Sequence, residues 1–477
     1  MIELSENISS YLVTVFGEKF EQQYRQFIES EYVPYIRISG SENEQEIITE
    51  KLKRYEIELE KVDGVSNAYK VLSGNSIIGK TLEFSLGKYY IQSLSSMIPP
   101  IVLNPSCDDL TLDMCAAPGS KATELAQMMN NQGTLYVNES NIGRTRSLAH
   151  NLDKLNIINC GMIVNKGEWL SKHFDGYFDK ILVDAPCTGL GIVQKKQEVS
   201  NWWSSNHALK LSETQMKLLV SAIKSLKVGG EIVYSTCTLT LEENEFLINR
   251  VLNKYPVELM DIELPVKSHP GFTKYGDEEL SQELAKTRRI IPWEINSEGF
   301  FIAKLKKVGK TSALQKIELK RSSYSFVEWN NKYVRSIIEE LSEWYGIPLK
   351  IFARYKYLVK KNEIQFIDAN WNAENLILFN RMGLKLGKMD KRGSLVLHTL
   401  AAQVLQKHIT KNIIELTNEQ ELKTYLTGGT IKSMSNIEPK GRKVVVYNDN
   451  MLGSAIATKD GLKSQFPRAL RTSEILY

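Results

Sequence analysis

Strand-like and helix-like segments alternate between about residue 65 and residue 307, and this alternation constrains the fold more than any other feature. Leu110–Met114, Gly133–Asn138 and Phe178–Val183 are short apolar runs typical of buried strands. Segments with helical spacing, such as Asn141–Leu155, separate them. Strands that alternate with helices in this way form βαβ units, so the sequence predicts an α/β fold with a parallel sheet.

The unit from Leu110 to Met129 (LTLDMCAAPGSKATELAQMM) contains a strand, a turn of small residues and a helix. Gly119 lets a ligand approach the backbone closely, and the helix that begins at Ser120 attracts an anionic group to its N-terminus. Glu139 ends the next strand and suits the two hydroxyls of a ribose. The unit predicts a site for an adenosine-containing cofactor, with a purely structural turn as the alternative.

The five cysteines are odd in number and include no CxxC pair, so we expect free thiols rather than disulfides or a zinc site. Cys187 lies in the segment DAPCTG and Cys237 in STCTL, each just beyond the end of a predicted strand. Open α/β sheets bind their ligands at that edge. Cys107 and Cys160 lie in unmarked sequence, and we expect them to be structural.

Two thiols at such an edge suit the methylation of cytosine at C5. A thiolate that adds to C6 makes C5 nucleophilic enough to accept a methyl group, and the same sulfur must leave afterwards. Cysteine meets both requirements. Asp184 suits the N3/N4 edge of the base, and Cys187 is available to assist the elimination.

Four segments occur in a recognisable order: DMCAAPGSK (113–121), NES (138–140), DAPCTG (184–189) and STCTL (235–239). In this the chain resembles the NOP/Sun family of RNA cytosine-5 methyltransferases over roughly residues 30–307. The resemblance implies a Rossmann-like class I methyltransferase core with a mostly parallel, seven-stranded sheet and S-adenosyl-L-methionine as the cofactor. It implies that Cys237 is the nucleophile and that Cys187 assists product release. It also implies a cofactor pocket that includes Cys115, Ala116, Ala117, Pro118, Gly119, Ser120, Lys121, Glu139 and Asp184.

One position departs from the family pattern. The family usually has Asp-Gly after the third strand, where the Asp contacts the adenine amino group, but this chain has Asn165 followed by Lys166 and Gly167. The amide oxygen of Asn165 is able to accept the same hydrogen bond, whereas the Lys166 ammonium has no acceptor. We therefore include Asn165 among the cofactor-binding residues.

Charge distinguishes the two halves of the chain. Residues 308–477 contain 27 Lys and Arg against 16 Asp and Glu, a net charge of +11 in a chain whose total is +4. Arg354–Lys361 (RYKYLVKK) interleaves aromatics with cations, and Arg381–Arg392 (RMGLKLGKMDKR) combines cations with glycines. Both patterns suit RNA, with a solvated surface as the alternative. The C-terminal part also resembles the RsmF branch of the family, which implies a PUA-like RNA-binding domain and a structured small-subunit rRNA as substrate.

These observations predict four units: an N-terminal α+β RNA-binding segment (1–65), a methyltransferase domain (66–307), a basic connecting domain (308–383) and a PUA-like domain (384–477). We expect a cytoplasmic monomer that acts on 16S rRNA or the 30S subunit, without a metal and without a membrane. A tRNA cytosine as target and a non-catalytic RNA-binding assembly factor remain the alternatives.

Two further features have competing interpretations. Gly74–Thr81 (GNSIIGKT) matches a phosphate-binding loop, but the following residues 82–87 are predicted as a strand or turn rather than the helix that such a loop requires, which favours a chance match. Trp202 and Trp203 either stack on a base or form a local core patch.

Overall fold

The structure is a computed structural model that describes residues 4–312, 322, 324–373, 376–471 and 474–476. Its N-terminal region combines helices with short strands. The elements are α1 (Glu6–Phe16), α2 (Glu18–Glu29), β1 (Tyr35–Ile38), α3 (Glu42–Lys53), β2 (Leu59–Lys61), β3 (Ala68–Val71), α4 (Leu82–Ser85) and β4 (Tyr89–Ile91). The strands form an antiparallel sheet in the order β2-β3-β1-β4. Because this sheet crosses residue 65, we propose that the N-terminal unit extends to Ile91.

The central region follows the predicted alternation of strands and helices. Its elements are α5 (Leu94–Leu103), β5 (Leu110–Asp113), α6 (Ser120–Met128), β6 (Thr134–Asn138), α7 (Ile142–Lys154), β7 (Cys160–Ile163), β8 (Phe178–Asp184), α8 (Val199–Trp202), α9 (Ser205–Ser225), β9 (Leu226–Thr236), α10 (Glu245–Leu252), β10 (Val257–Leu259), β11 (His269–Pro270), β12 (Lys274–Tyr275), β13 (Glu278–Glu279), β14 (Arg288–Ile290), α11 (Pro292–Ile295) and β15 (Phe300–Lys307).

Seven of these strands form the predicted Rossmann-like sheet in the order β7-β6-β5-β8-β9-β15-β14. The pairs from β7 to β9 are parallel, and β15 runs antiparallel to both of its neighbours. The mostly parallel seven-stranded core is therefore confirmed. The short strands β10 and β11 and one strand from the C-terminal half extend the sheet to ten strands.

Alternate residues of the central strands belong to different hydrophobic clusters. On β8, Leu182 packs in the cluster that contains α5, α6 and α7, whereas Ile181 and Val183 pack in the cluster that contains α9 and α10. Successive side chains of a strand point to opposite faces, so helices cover both faces of the sheet. This double coverage explains why the strands read as nearly continuous apolar runs.

The C-terminal half contains two further sheets. Its elements are β16 (Val327–Glu328), α12 (Lys332–Tyr345), α13 (Leu349–Phe352), β17 (Tyr355–Lys360), β18 (Glu363–Asp368), β19 (Phe379–Met382), β20 (Leu384–Met389), β21 (Leu395–Leu397), α14 (Thr399–Leu405), β22 (Ile413–Glu415), α15 (Glu419–Leu426), β23 (Thr430–Ile431), β24 (Gly441–Tyr447), β25 (Asn450–Thr458) and β26 (Gly461–Ser464). The sheet orders are β16-β17-β18-β20-β21 and β22-β24-β25-β26-β23.

The first of these sheets crosses the predicted boundary at residues 383 and 384, because β20 pairs with β18. One hydrophobic cluster also runs through both C-terminal sheets. We therefore propose a single C-terminal module in place of two separate domains. Residues 313–321 of the predicted connecting domain lie outside the described part of the chain. Within the described residues, no helix has the length and apolar character needed to cross a membrane.

Candidate active site

The two predicted cysteines share one site because of how their strands pair. β8 and β9 run parallel, with Asp184 opposite Ser235. Cys187 and Cys237 follow these residues after a few positions, and their sulfur atoms lie 3.2 Å apart. Two segments about fifty residues apart in the sequence therefore present their thiols at the same point of the sheet edge.

A cleft of about 820 Å³ opens at this edge, and both cysteines line it. Most of the predicted cofactor residues line the same cleft, namely Cys115, Ala117, Pro118, Ser120, Lys121, Glu139 and Asp184. Ala116, Gly119 and Asn165 are not among the described residues that line it. Ala116 instead donates its backbone N–H to the carbonyl of Asn138 at 2.8 Å.

The turn between β5 and α6 has the backbone that its sequence requires. Gly119 has φ +111°, a left-handed conformation that side chains rarely adopt, and a Cβ there would lie 3.1 Å from Cδ1 of Leu148. Glycine thus permits the chain to turn directly into α6 at Ser120. The N-terminus of this nine-residue helix faces the cleft, where it favours an anionic group.

Lys121 and Asp184 form an ion pair in the floor of the cleft. The Lys121 ammonium donates to Asp184 Oδ2 at 2.8 Å and to Ser96 Oγ at 2.9 Å. Ser235 donates to the other carboxylate oxygen at 2.8 Å, which fixes the orientation of the carboxylate. Burial disfavours the charge of Lys121, but the Asp184 carboxylate outweighs it and the pKa of Lys121 is raised.

Asp113, at the end of β5, is a buried acid that the sequence analysis did not single out. Both carboxylate oxygens are buried without a hydrogen-bonding side chain among the described residues. Burial, together with the negative charge of Asp184, raises the pKa of Asp113 to about 7. An Asp within an otherwise apolar strand was the signal available in the sequence.

Two cysteines that line the cleft, Cys187 and Cys115, have raised pKa values. The hydrogen bond to Cys237 and burial together raise the pKa of Cys187 well above that of a free thiol. Burial likewise raises the pKa of Cys115. Cys187 is therefore held as a thiol, the form that donates a proton. Cys160 is buried in β7, as expected for a structural cysteine, and Cys107 is half-buried at a distance from the cleft.

Glu139 and Asn165 have local partners that bear on adenosine binding. Glu139 accepts the backbone N–H of Asn141 at 2.8 Å, and its other oxygen lies 3.5 Å from the guanidinium of Arg144. The amide oxygen of Asn165 accepts the backbone N–H of Lys166 at 2.8 Å. If this oxygen also accepts a hydrogen bond from the adenine amino group, it must do so while it accepts the Lys166 N–H.

Sequence reasoning missed further residues that line the cleft, because they come from distant segments without a chemical signature. They include Gln92, Ser93, Arg144, Glu168, Lys195, Glu298 and Phe300. Lys195 and Glu298 form an ion pair with an N–O distance of 3.1 Å. Charged groups from distant segments thus contribute to the lining of the cleft.

The adjacent tryptophans have different environments. Trp203 is only 2% exposed and packs with α1 and α2, which is the core interpretation. Trp202 is 45% exposed, lines the cleft and makes an edge contact with His207. The core interpretation therefore applies to Trp203, and base stacking by Trp202 stays a prediction.

The segment Gly74–Thr81 lacks the structure of a phosphate-binding loop. The prediction of a strand or turn after it is wrong, since α4 follows, but this helix has only four residues. Thr81 caps it by accepting the N–H of Phe84 at 3.1 Å, and its hydroxyl lies 2.6 Å from that of Tyr89. The buried hydroxyl is thus already engaged, which supports a chance match.

The basic C-terminal segments are only partly available to RNA. Tyr355 and Tyr357 are buried in the core of their sheet. The prediction that the aromatics of RYKYLVKK stack on RNA bases is therefore wrong. Arg381 is paired with Asp153 of α7. Lys388, Lys391 and Arg392 of the second segment are exposed. No group of three potential metal ligands occurs among the residues that the structure describes.

The chain is similar to RNA methyltransferases in sequence and structure. A family model described as 16S rRNA methyltransferase RsmB/F matches residues 100–306. Ribosomal RNA small subunit methyltransferase F of Shewanella piezotolerans is 31% identical over 403 residues, which cover 83% of this chain and 82% of the relative. The tRNA (cytosine(49)-C(5))-methyltransferase of Pyrococcus abyssi is 38% identical over 229 residues, covering 48% of this chain and 73% of the relative. A methyltransferase homolog protein from Pyrococcus horikoshii has a TM-score of 0.56 at 30% identity and covers 64% of this chain and 100% of that one.

Proposed function

This chain belongs to the RsmB/F family of 16S rRNA methyltransferases, and on that premise we propose that it methylates C5 of a cytosine in small-subunit ribosomal RNA. The cofactor is S-adenosyl-L-methionine, which supplies an electrophilic methyl group when bound. The observation that carries the proposal is the pair of sulfur atoms 3.2 Å apart at the edge of a cleft shared with the β5–α6 turn.

The residues of the turn fit this cofactor by their chemistry. The N-terminus of α6 suits the carboxylate of its methionine part, and the Glu139 carboxylate suits the ribose hydroxyls. Cys115, Ala117, Pro118, Ser120 and Lys121 provide the remaining wall. Ala116 and Gly119 shape the turn behind that wall. Asn165 is a weaker candidate for the adenine contact, because its amide oxygen already accepts the backbone N–H of Lys166.

Cys237 is the nucleophile of the proposed reaction. Its sulfur forms a bond to C6 of the cytosine, which places the electron pair of the C5–C6 double bond at C5 for methylation. Asp184 is held by Lys121 and Ser235 with its carboxylate facing the cleft, where it suits the exocyclic amine of the base. A base then takes the C5 proton, the electron pair of that C–H bond restores the C5–C6 double bond, and the sulfur leaves C6 as the Cys237 thiolate.

Cys187 assists the final elimination. As a thiol next to Cys237, it can return a proton to the departing thiolate, since it is the hydrogen-bond partner 3.2 Å away. The target base must be unpaired or flipped out to reach this position. Trp202, exposed in the lining of the cleft, offers an aromatic face for a neighbouring base. The exposed cations of the C-terminal module suit the phosphate backbone.

The experiment is incubation of the purified protein with tritium-labelled S-adenosyl-L-methionine and, separately, unmodified 16S rRNA, 30S subunits and total tRNA. Label in 5-methylcytosine of rRNA or 30S subunits is the expected result, and the Cys237→Ser variant should incorporate none. Label only in tRNA would favour the second candidate, a tRNA cytosine methyltransferase. That is the activity named for the Pyrococcus abyssi relative, to which this chain is similar in its core. No label in any RNA would overturn the proposal.

The same proposal includes a monomer that acts in the cytoplasm without a metal ion. Ribosomal RNA is modified in that compartment, and the proposed thiol chemistry requires no Lewis acid. Light scattering of the active protein tests whether it is a monomer, and metal analysis tests whether it contains a metal ion.

A further inference from the structure

Glu243 is a fully buried acid that follows the Cys237 loop and lies outside the cleft lining. Burial alone is costly for a carboxylate unless hydrogen bonds or charges compensate it. The mechanism proposed above gives this residue no role. Its hydrogen bonds nevertheless lead directly to both cysteine loops.

Every group that contacts the Glu243 carboxylate is a donor. The backbone N–H of Thr188 donates to Oε1 at 2.9 Å, and the side-chain amide of Gln215 donates to the same oxygen at 2.8 Å. The hydroxyl of Thr240 donates to Oε2 at 2.8 Å, and the hydroxyl of Thr188 donates to Oε2 as well. Two oxygens thus accept four hydrogen bonds. Burial raises the pKa of Glu243, and these hydrogen bonds oppose that rise because they favour the ionised form.

Three of these four hydrogen bonds come from the two loops that carry the cysteines, and the fourth comes from Gln215 of α9. Thr188 directly follows Cys187, and Gln215 also donates to the carbonyl of Pro186 at 2.9 Å, which fixes the other side of that cysteine. Thr240 lies in the loop that begins with Cys237, and the hydroxyls of Thr188 and Thr238 lie 2.9 Å apart. The carboxylate therefore lies at the junction of the two loops.

We propose that Glu243 is the positioning residue that holds the Cys187 loop against the Cys237 loop and so sets the distance between the two sulfur atoms. This inference rests on the proposed function, since it concerns the same site. Loss of one of its acceptor oxygens would leave a buried donor without a partner and let the loops separate. Displacement of reacting groups by about 1 Å costs on the order of 100-fold in rate.

The negative charge of Glu243 has a second effect on the site. It contributes to the raised pKa of Cys187, after the hydrogen bond to Cys237 and burial. The charge therefore favours the thiol form of Cys187, the form that donates a proton. Position and protonation thus depend on the same carboxylate.

Two neighbouring acids make other contacts and allow a matched control. Glu242 accepts the hydroxyl of Tyr11 in α1 at 2.6 Å, and Glu245 forms a buried ion pair with Arg289 of β14. Glu242→Gln therefore removes a carboxylate next to Glu243 without removing a bond to either cysteine loop. It is the control for a general effect of changing charge in this segment.

The test is Glu243→Gln, which keeps the volume but turns an amide NH₂ toward groups that are already donors. We expect kcat for RNA methylation to fall about 10- to 100-fold, while the KM for S-adenosyl-L-methionine changes less than about twofold. Treatment of the thiols with the oxidant diamide, followed by peptide mass spectrometry, measures how fast Cys187 and Cys237 form a disulfide. That rate should also fall several-fold, whereas Glu242→Gln should leave both values unchanged.

A second variant, Thr188→Val, removes one hydroxyl donor without altering the acid. It should also slow disulfide formation, and it serves as the test if Glu243→Gln fails to fold. A folded Glu243→Gln protein with wild-type kcat and wild-type disulfide formation would overturn the inference. Absence of methylation in the wild-type protein would instead contradict the proposed function, and disulfide formation would still report on the role of Glu243.

Discussion

Cys187 and Cys237 are the same amino acid in two neighbouring loops, and we propose different roles for them in the reaction. The hydrogen bond to Cys237, burial and the nearby Glu243 raise the pKa of Cys187, so this thiol retains its proton. Both are only partly buried, so a substrate in the cleft can reach them. The difference between nucleophile and proton donor is therefore a property of surroundings and not of residue type.

This division of roles predicts opposite outcomes for two conservative changes. Cys187→Ser should accumulate a covalent protein–RNA adduct, because addition by Cys237 survives while its release is impaired. Cys237→Ser should form neither adduct nor product. Denaturing gel electrophoresis of labelled RNA measures the adduct. Cys107→Ser, a half-buried cysteine outside the cleft, is the matched control and should behave as the wild type. Normal methylation by Cys237→Ser would contradict the assignment of the nucleophile.

At the scale of single elements, the ends of helices are where sequence and structure can be compared most directly. α3 begins with a capping box between Ser41 and Glu44. α7 begins at Ile142 after the N-cap Asn141, whose side chain accepts two backbone N–H groups. α14 is capped by a histidine, since Nδ1 of His398 accepts the N–H of Leu400 at 3.4 Å. A histidine cap functions only while that nitrogen is unprotonated, which ties this helix to pH.

Burial lowers the pKa of His398 to about 4, below its usual value of 6.5. The unfolded chain therefore binds the proton more readily than the folded protein between these values. The stability contributed by neutral His398 is fully present above pH 6.5 and is lost as the pH falls toward 4. His398→Asn keeps a capping oxygen that does not titrate. Between pH 7 and pH 4.5, the wild type should lose roughly 1–3 kcal/mol of unfolding free energy relative to this variant. Urea titrations at the two pH values measure it, and equal losses in both proteins would contradict the argument.

At the scale of the whole molecule, the C-terminal module is joined to the methyltransferase sheet. β19 pairs with β7 and adds a strand to the edge of that sheet. Trp371 is buried against Tyr136 of β6, with ring centroids 5.7 Å apart. The backbone N–H of Gly133 donates to Asp368 at 2.9 Å. These contacts join the two halves through backbone pairing, apolar packing and hydrogen bonds.

Gly161 of β7 makes this junction possible, because a Cβ at that position would lie 2.5 Å from the ring of Phe379 and 2.7 Å from that of Trp371. Gly161→Ala should therefore cost about 1–3 kcal/mol and weaken the docking of the C-terminal module. Calorimetry should show a lower Tm and a separate, earlier transition. Gly79→Ala is the control, since its Cβ would meet only Ile91 at an ordinary 3.8 Å. An unchanged single transition in Gly161→Ala would contradict this account of the junction.

The sequence by itself determined those features that depend on neighbours along the chain. The apolar runs of β5, β6 and β8, the turn at Gly119 and the strand-end positions of Cys187 and Cys237 were all predicted, because periodicity, glycine and strand ends act over a few residues. The cofactor class and the sheet followed from the order of these segments. The helix over residues 82–85 was missed, because its single turn depends on the Thr81 cap.

Only the tertiary structure decided what depends on residues far apart. It brought the two sulfur atoms to 3.2 Å through the register of β8 and β9, separated Trp202 from Trp203, and buried the tyrosines of β17 that resembled a stacking surface. It also placed Glu243 between the two cysteine loops and added β19 to the central sheet. Such contacts join segments that lie tens to hundreds of residues apart, so local sequence patterns carry no record of them, and packing and hydrogen bonding select them as the chain folds.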